Sequence, residues 1–200
     1  MLEEFDKKFL NKDILNIAGC DEAGRGPLAG PVVVGACIMP LDKEFVIDGV
    51  NDSKKLSEKK REMLFDKIVS TAKCFSIVEI DNKTIDEINI LNATKFGMVK
   101  AINGLSVKPD LVLVDAVKNL DIKYNQIGII KGDAQSYNIA CASILAKVYR
   151  DRLMKELDKK YPVYQFAKHK GYGTKLHIQL LKENGKCEIH RNTFIKHFVD

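Results

Sequence analysis

No window of about 18 apolar residues occurs in the 200-residue chain, so no stretch reads as a membrane-spanning helix. The five cysteines, Cys20, Cys37, Cys74, Cys141 and Cys187, are odd in number and form no Cys-x-x-Cys pair. That pattern argues against a disulfide framework or a zinc site. All but one lie in apolar runs, where a free cysteine behaves as a small buried hydrophobe. The N-terminal residues run acidic and then basic, unlike a signal peptide, and a cytoplasmic location is expected. No repeat, low-complexity tract or Pro/Gly/Ser-rich linker divides the chain. Residues 1–200 therefore read as one domain, without a membrane partner and expected to be monomeric.

Charge is unevenly spread. Residues 147–200 hold 13 Lys/Arg against 6 Asp/Glu, whereas residues 1–146 hold 19 against 21. The basic segment at about 160–200 also carries Tyr161, Tyr164, Phe166 and Tyr172. A basic surface with interleaved aromatics suits phosphate-bearing partners.

Short, β-branched apolar runs predict strands at 14–20, 32–39, 74–80, 111–114 and 127–130. Near-continuous hydrophobicity in several of them suggests a sheet covered on both faces. Helical periodicity predicts helices at 58–71 (capped by Ser57), 89–103 (stopped by Gly104), 134–160 and 177–184. Adjacent early strands followed by alternating helices and strands predict an α/β fold: a mixed sheet flanked by helices, with a small basic C-terminal helical segment.

The chemistry concentrates in Gly19-Cys20-Asp21-Glu22-Ala23-Gly24-Arg25-Gly26-Pro27-Leu28-Ala29-Gly30-Pro31, where adjacent acids at the end of an apolar strand meet a glycine-rich loop. Two carboxylates ~4 Å apart repel by about 4 kcal/mol at an effective dielectric of ~20, and a bound cation relieves this. Asp115 ends the strand at 111–114, and Asp133 lies between the strand at 127–130 and the long helix, where it is also a candidate cap. Acids at strand ends and helix starts converge on one edge of an α/β sheet. An all-carboxylate set suits Mg²⁺ or Mn²⁺. Two such ions would serve phosphodiester hydrolysis. The glycine loop is not a nucleotide-cofactor loop, because it contains prolines, leads into a strand and lacks a Gly-Lys-Ser/Thr ending.

The stretch from Asp21 to Val33 resembles the signature of ribonuclease HII, the type 2 ribonuclease H family. Similarity continues through Asp52-Ser53-Lys54-Lys55-Leu56-Ser57, Val114-Asp115, Gly132-Asp133, the run from Ala142 to Val148, Arg150-Asp151, the run from His169 to Thr174, and His190-Arg191. The resemblance implies a ribonuclease H-like fold and metal-dependent endonucleolytic cleavage of the RNA strand in RNA–DNA hybrids. It also implies incision 5′ of ribonucleotides embedded in duplex DNA, leaving 5′-phosphate and 3′-hydroxyl ends. By position, Asp21, Glu22, Asp115 and Asp133 match the catalytic acids that hold two Mg²⁺ or Mn²⁺ ions. Gly24, Arg25 and Gly26 match the loop that contacts the 2′-hydroxyl, and Tyr172 matches the ring that packs on the sugar at the RNA–DNA junction. Lys147, Lys168 and Lys170 are expected phosphate contacts. His169, His177, His190 and His197 are expected to make structural or phosphate hydrogen bonds rather than hold a metal. The related ribonuclease HIII type is disfavoured, because it lacks the Gly-Arg-Gly triplet.

Overall fold

The computed structural model describes residues 2–198; the extreme ends of the expected domain lie outside the described residues. Its centre is a five-stranded mixed sheet in the order β3-β2-β1-β4-β5. The strands are β1 (Ile17–Ala23), β2 (Val32–Ile38), β3 (Cys74–Ile80), β4 (Leu111–Asp115) and β5 (Asn125–Ile129). β1–β2 and β2–β3 pair antiparallel, while β1–β4 and β4–β5 pair parallel. β2 is buried along its whole length, as its unbroken apolar run predicts, whereas the edge strand β3 is buried only at its two ends and the edge strand β5 alternates in exposure.

The helices are α1 (Leu2–Lys7), α2 (Glu58–Thr71), α3 (Asn82–Asn103), α4 (Tyr137–Lys160), α5 (Phe166–His169), α6 (Lys175–Asn184) and α7 (Asn192–Ile195). α2 and α4 cover one face of the sheet, where Leu64, Ile68, Ile139 and Leu145 meet Ile17, Cys37, Leu111 and Leu113. α3 covers the other, with Met98, Ala101 and Ile102 against Cys20, Val34, Ala36 and Val114. α4 lies directly on β1 and β2. A Cβ at Gly19 would stand 2.1 Å from the Asn138 carbonyl carbon, and one at Gly35 would stand 2.5 Å from the Ala142 oxygen.

Several boundaries differ from the expected ones. β1 starts three residues later than the run at 14–20 and continues through the acids, because Asp21, Glu22 and Ala23 pair with Gly35, Val34 and Val33. The apolar Leu15 is left 64% exposed, its N–H tied to Asp110. Strand pairing, not the apolar run, sets the limits. α3 begins at Asn82 under an Asp81 cap, and its break at Asn89 (φ 65°, ψ 164°) coincides with the expected start. Asn89 Oδ1 accepts from the N–H groups of Leu91 and Asn92, so it caps the second half of the helix. Leu91, in the first turn after the break, is 46% exposed. Gly104 does end α3, but with an ordinary φ of −77°; its value is space, since a Cβ would stand 2.8 Å from Ser76 Oγ.

The basic C-terminal segment folds as α5–α7 with its own small cores, Met154, Tyr164 and Phe166 around Ala29, and Leu181 and Ile195 around Leu28. It is also stitched to the glycine loop through main-chain bonds from Leu28 to Gly171, Gly30 to Ile189 and Arg191 to Leu28. The tail therefore forms one wall of whatever the loop binds.

Candidate active site

The parallel β1–β4 register ends at Cys20 opposite Val114, so Asp21 and Asp115 are the next residues on neighbouring strands. Side chains alternate along a strand, so Glu22 follows Asp21 on the opposite side of β1's mean plane. Asp21, Glu22 and Asp115 nevertheless line one open cleft of about 210 Å³, together with Gly24, Arg25, Gly26, Lys147 and Tyr172. A Cβ at Gly26 would meet nothing within 4 Å, so the space before the loop is free for a ligand. Gly24 has φ +94°, a conformation that glycine adopts without strain.

Each acid spends one oxygen locally. Asp21 Oδ1 accepts from the Glu22 N–H at 2.7 Å, and Asp115 Oδ1 accepts from the Gly132 N–H at 2.6 Å. Glu22 Oε1 lies 3.5 Å from the Arg25 guanidinium, but its Oε2 is buried without any hydrogen-bond partner. Burial pushes the Asp21 carboxyl well up from the ordinary carboxylate range, and the charges of Glu22 and Asp115 push it further. Glu22 is also raised by burial, with Arg25 opposing. Asp133 is raised by burial and by Asp115 and Asp52. Among the described residues no three His, Cys, Asp or Glu side chains are grouped tightly enough to hold an ion as they stand. The donor set nonetheless fits a hard cation: it is all oxygen, its negative charge is only partly offset, and it includes an orphaned buried carboxylate oxygen.

Asp133 sits in a turn of 3-10 helix at 132–134, and its Oδ2 is 3.6 Å from Lys54 Nζ. It is not the cap of α4. That role belongs to Ser136, whose hydroxyl accepts from the Ile139 N–H. Gly132 is pressed between Ile139 and Asp115, which holds this turn close to the end of β4.

Sequence reasoning assigned no role to Lys54, Ser53, Ser143 or Arg150. Ser53 and Ser143 share a 2.8 Å hydrogen bond that pins the 53–55 turn to α4 and presents Lys54 to the cleft. Ser143, Lys147 and Arg150 recur at helical spacing, a polar stripe within an apolar helix that was the available signal. Lys147 lines the cleft and pairs with Asp151 at 2.7 Å. Lys168 and Lys170 do not line it. The Lys168 ammonium bonds the Gln165 side chain and that of Lys170 the Ala167 carbonyl, both within the tail.

Three of the expected histidines cluster under Tyr172. His169 and His177 stack with ring centres 4.4 Å apart, and His177 and His190 join through their Nε2 atoms at 3.1 Å. His190 Nδ1 accepts from the Cys187 N–H, so its Nε2 carries the hydrogen. His177 in turn donates from Nδ1 to the Tyr172 carbonyl at 3.0 Å. The ring nitrogens are thus committed to structural bonds that hold the Tyr172 main chain. His197 is exposed and apart from them.

The model of the protein family described as Ribonuclease HII matches residues 18–197. A curated relative named Ribonuclease HII, from Caldicellulosiruptor bescii, is 54% identical over 196 residues, covering 98% of this chain and 94% of its own. Among solved structures, ribonuclease H2 from Pyrococcus horikoshii OT3 superposes with a TM-score of 0.76 at 31% identity, covering 92% of this chain and 99% of that one. Bst-RNase HIII, crystallised with Mn²⁺, shares the fold at a TM-score of 0.65 and 19% identity, covering 86% of this chain and 63% of its own.

Proposed function

Since the chain belongs to the ribonuclease HII family, metal-dependent endoribonucleases that cleave the RNA of RNA–DNA hybrids, we propose that it also incises duplex DNA on the 5′ side of embedded ribonucleotides. The products are a 5′-phosphate and a 3′-hydroxyl. The observation that carries this reading is the convergence of Asp21, Glu22 and Asp115 on the cleft formed by the Gly24–Gly26 loop and Tyr172.

In this reading Asp21, Glu22, Asp115 and Asp133 would together hold two divalent ions, Asp21 serving both, Glu22 and Asp133 one and Asp115 the other. Mg²⁺ or Mn²⁺ bound there would supply Lewis-acid activation of water and charge neutralisation for phosphodiester hydrolysis. The other residues recognise substrate. The 2′-hydroxyl is the one group that separates a ribonucleotide from a deoxyribonucleotide, and the side-chain-free backbone at Gly24 and Gly26 lets the loop approach it. The Tyr172 ring, 41% exposed on the facing wall, packs beside the adjoining deoxyribose. Lys54 and Lys147 neutralise phosphates near the cleft; Lys168 and Lys170 serve the flanking duplex. A cytoplasmic monomer suffices for this scheme, since every proposed group comes from one chain.

The test is a DNA duplex containing one ribonucleotide, assayed beside an all-DNA duplex and a uniform hybrid. Mn²⁺- or Mg²⁺-dependent incision 5′ of the ribonucleotide, lost in EDTA and in Asp21→Asn, is expected. Cleavage of the all-DNA duplex, or incision that persists in EDTA, rejects the assignment.

A further inference from the structure

Behind the glycine loop lie two arginines with almost no solvent contact, Arg150 at 1% exposure and Arg191 at 0%. Neither has a carboxylate within ion-pair distance among the described residues. Both guanidinium groups are instead surrounded by main-chain carbonyls. Arg150 donates to Pro31, Lys170 and Ala29 at 2.9–3.1 Å. Arg191 donates to Gly30, Arg25 and Gly24 at 2.6–2.9 Å. Burial pushes Arg150 down to about 10 and, with the charge of Arg150 added, Arg191 down to about 9; both stay charged at neutral pH.

Burying two unpaired like charges side by side is costly, and apolar side chains would fill the same volume without that cost. What apolar residues cannot supply is a rigid planar fork that fixes several carbonyls at once. The carbonyls chosen belong to both walls of the cleft: Gly24 and Arg25 on the loop, Lys170 on the segment leading to Tyr172, and the 29–31 turn between them. The Arg150 guanidinium carbon also lies 5.8 Å from the centre of the Tyr172 ring. A Cβ at Gly24 would stand 2.0 Å from Arg150 Nε, so loop and guanidinium are packed without slack.

We infer that Arg150 and Arg191 are positioning residues for ribonucleotide recognition, locking the Gly24–Gly26 loop and the Tyr172 segment into a single rigid clamp of fixed width. The inference rests on the ribonucleotide-incising activity proposed above. A fixed width matters because one wall reads a hydroxyl and the other a neighbouring sugar. If the walls moved independently, each could still bind, but the one-ribonucleotide register would be lost. The metal-binding acids receive no bond from either guanidinium, so metal affinity should be independent of the clamp.

The experiment compares wild type with Arg150→Lys and Arg191→Lys, which keep the charge and remove the fork. KM and kcat are measured on the single-ribonucleotide duplex and on a uniform hybrid, and Mn²⁺ affinity by calorimetry. Expected is a rise in KM of about tenfold or more on the single-ribonucleotide duplex, a much smaller rise on the hybrid, and unchanged Mn²⁺ affinity. Equal losses on both substrates, a loss confined to kcat, no loss, or weakened Mn²⁺ binding overturns the inference. Hydrogen exchange on the wild type provides a second test even if the variants do not fold. The amides of Leu28, Gly30 and Arg191, which stitch loop to tail, should exchange with one common protection, within about threefold, as a single opening unit does. Protection that differs by orders of magnitude among them overturns the clamp. Absence of incision by the wild type rejects the activity and the specificity assigned to the arginines with it, while the exchange measurement still decides the clamp.

Discussion

In the proposed function, Asp21 is the residue at which stability and activity conflict most directly. Its carboxyl is 3% exposed and faces the charges of Glu22 and Asp115. Asp21→Asn keeps an oxygen for the Glu22 N–H and removes one charge. The variant should therefore unfold at higher temperature than wild type in EDTA while losing incision; thermal melts and the duplex assay check both. The pH dependence follows from the direction of the shift. A carboxyl raised in the folded state contributes stability below its unfolded value and loses it as pH rises through the folded one. The advantage of Asp21→Asn over wild type should thus grow with pH, and saturating Mn²⁺ should reverse it by binding only the native acids. Tyr172→Ala should weaken incision at single ribonucleotides by about tenfold, the scale of a lost aromatic contact, and affect a uniform hybrid less. Equal loss on both substrates argues against the junction role.

α4 is the element that organises the site. It carries Ser143, Lys147 and Arg150 on one face and packs its apolar residues on the sheet with another. Its N-terminus is held by Ser136 and by Asp6 from α1, whose Oδ2 accepts from both the main-chain and side-chain N–H groups of Asn138 at 2.8–2.9 Å. Asn138 Oδ1 passes the connection on to the Met39 N–H just beyond β2. Asp6→Ala strands those donors in a buried place and should cost about 2–3 kcal/mol in denaturant unfolding, with Asp6→Asn costing less. Periodicity made α4 legible because its inward face is apolar for most of its length. It missed the first half of α3, because the segment before Asn89 is largely polar and only Ile85 is buried there. It misplaced β1, because pairing with β2 extends that strand through charged residues that no hydrophobic pattern would include.

On the scale of the molecule, the histidines of the C-terminal tail should make stability depend on solution pH. His177 and His190, both buried, are pushed down to about 4, chiefly by burial. Their folded values lie below the ordinary imidazole value of about 6.5, so the unfolded chain takes up protons first as pH falls. Above about pH 6.5 the pair has no proton-linked cost; between about 6.5 and 4 stability should decline, by on the order of 3 kcal/mol per ring if the rings titrated independently. Circular-dichroism melts across that range should show the decline in wild type and a shallower one in His190→Gln.

The residues themselves determined the α/β class, the acids Asp21, Glu22 and Asp115, and the loop beside them, because adjacent carboxylates repel wherever they occur and a glycine-rich run supplies the backbone freedom that other residues lack. Lys54, the Ser53–Ser143 contact and the two carbonyl-bound arginines were decided only by tertiary structure. Their partners are 90 or more residues away in the case of the serines, and 119 or more for the Arg150 bonds to the 29–31 turn. A lysine or arginine in sequence reads as surface charge; only the fold shows which ones it has buried, and against which carbonyls. The same holds for the basic tail. Its charge was visible in the composition, whereas its closing around the glycine loop depends on main-chain bonds that no side-chain pattern records.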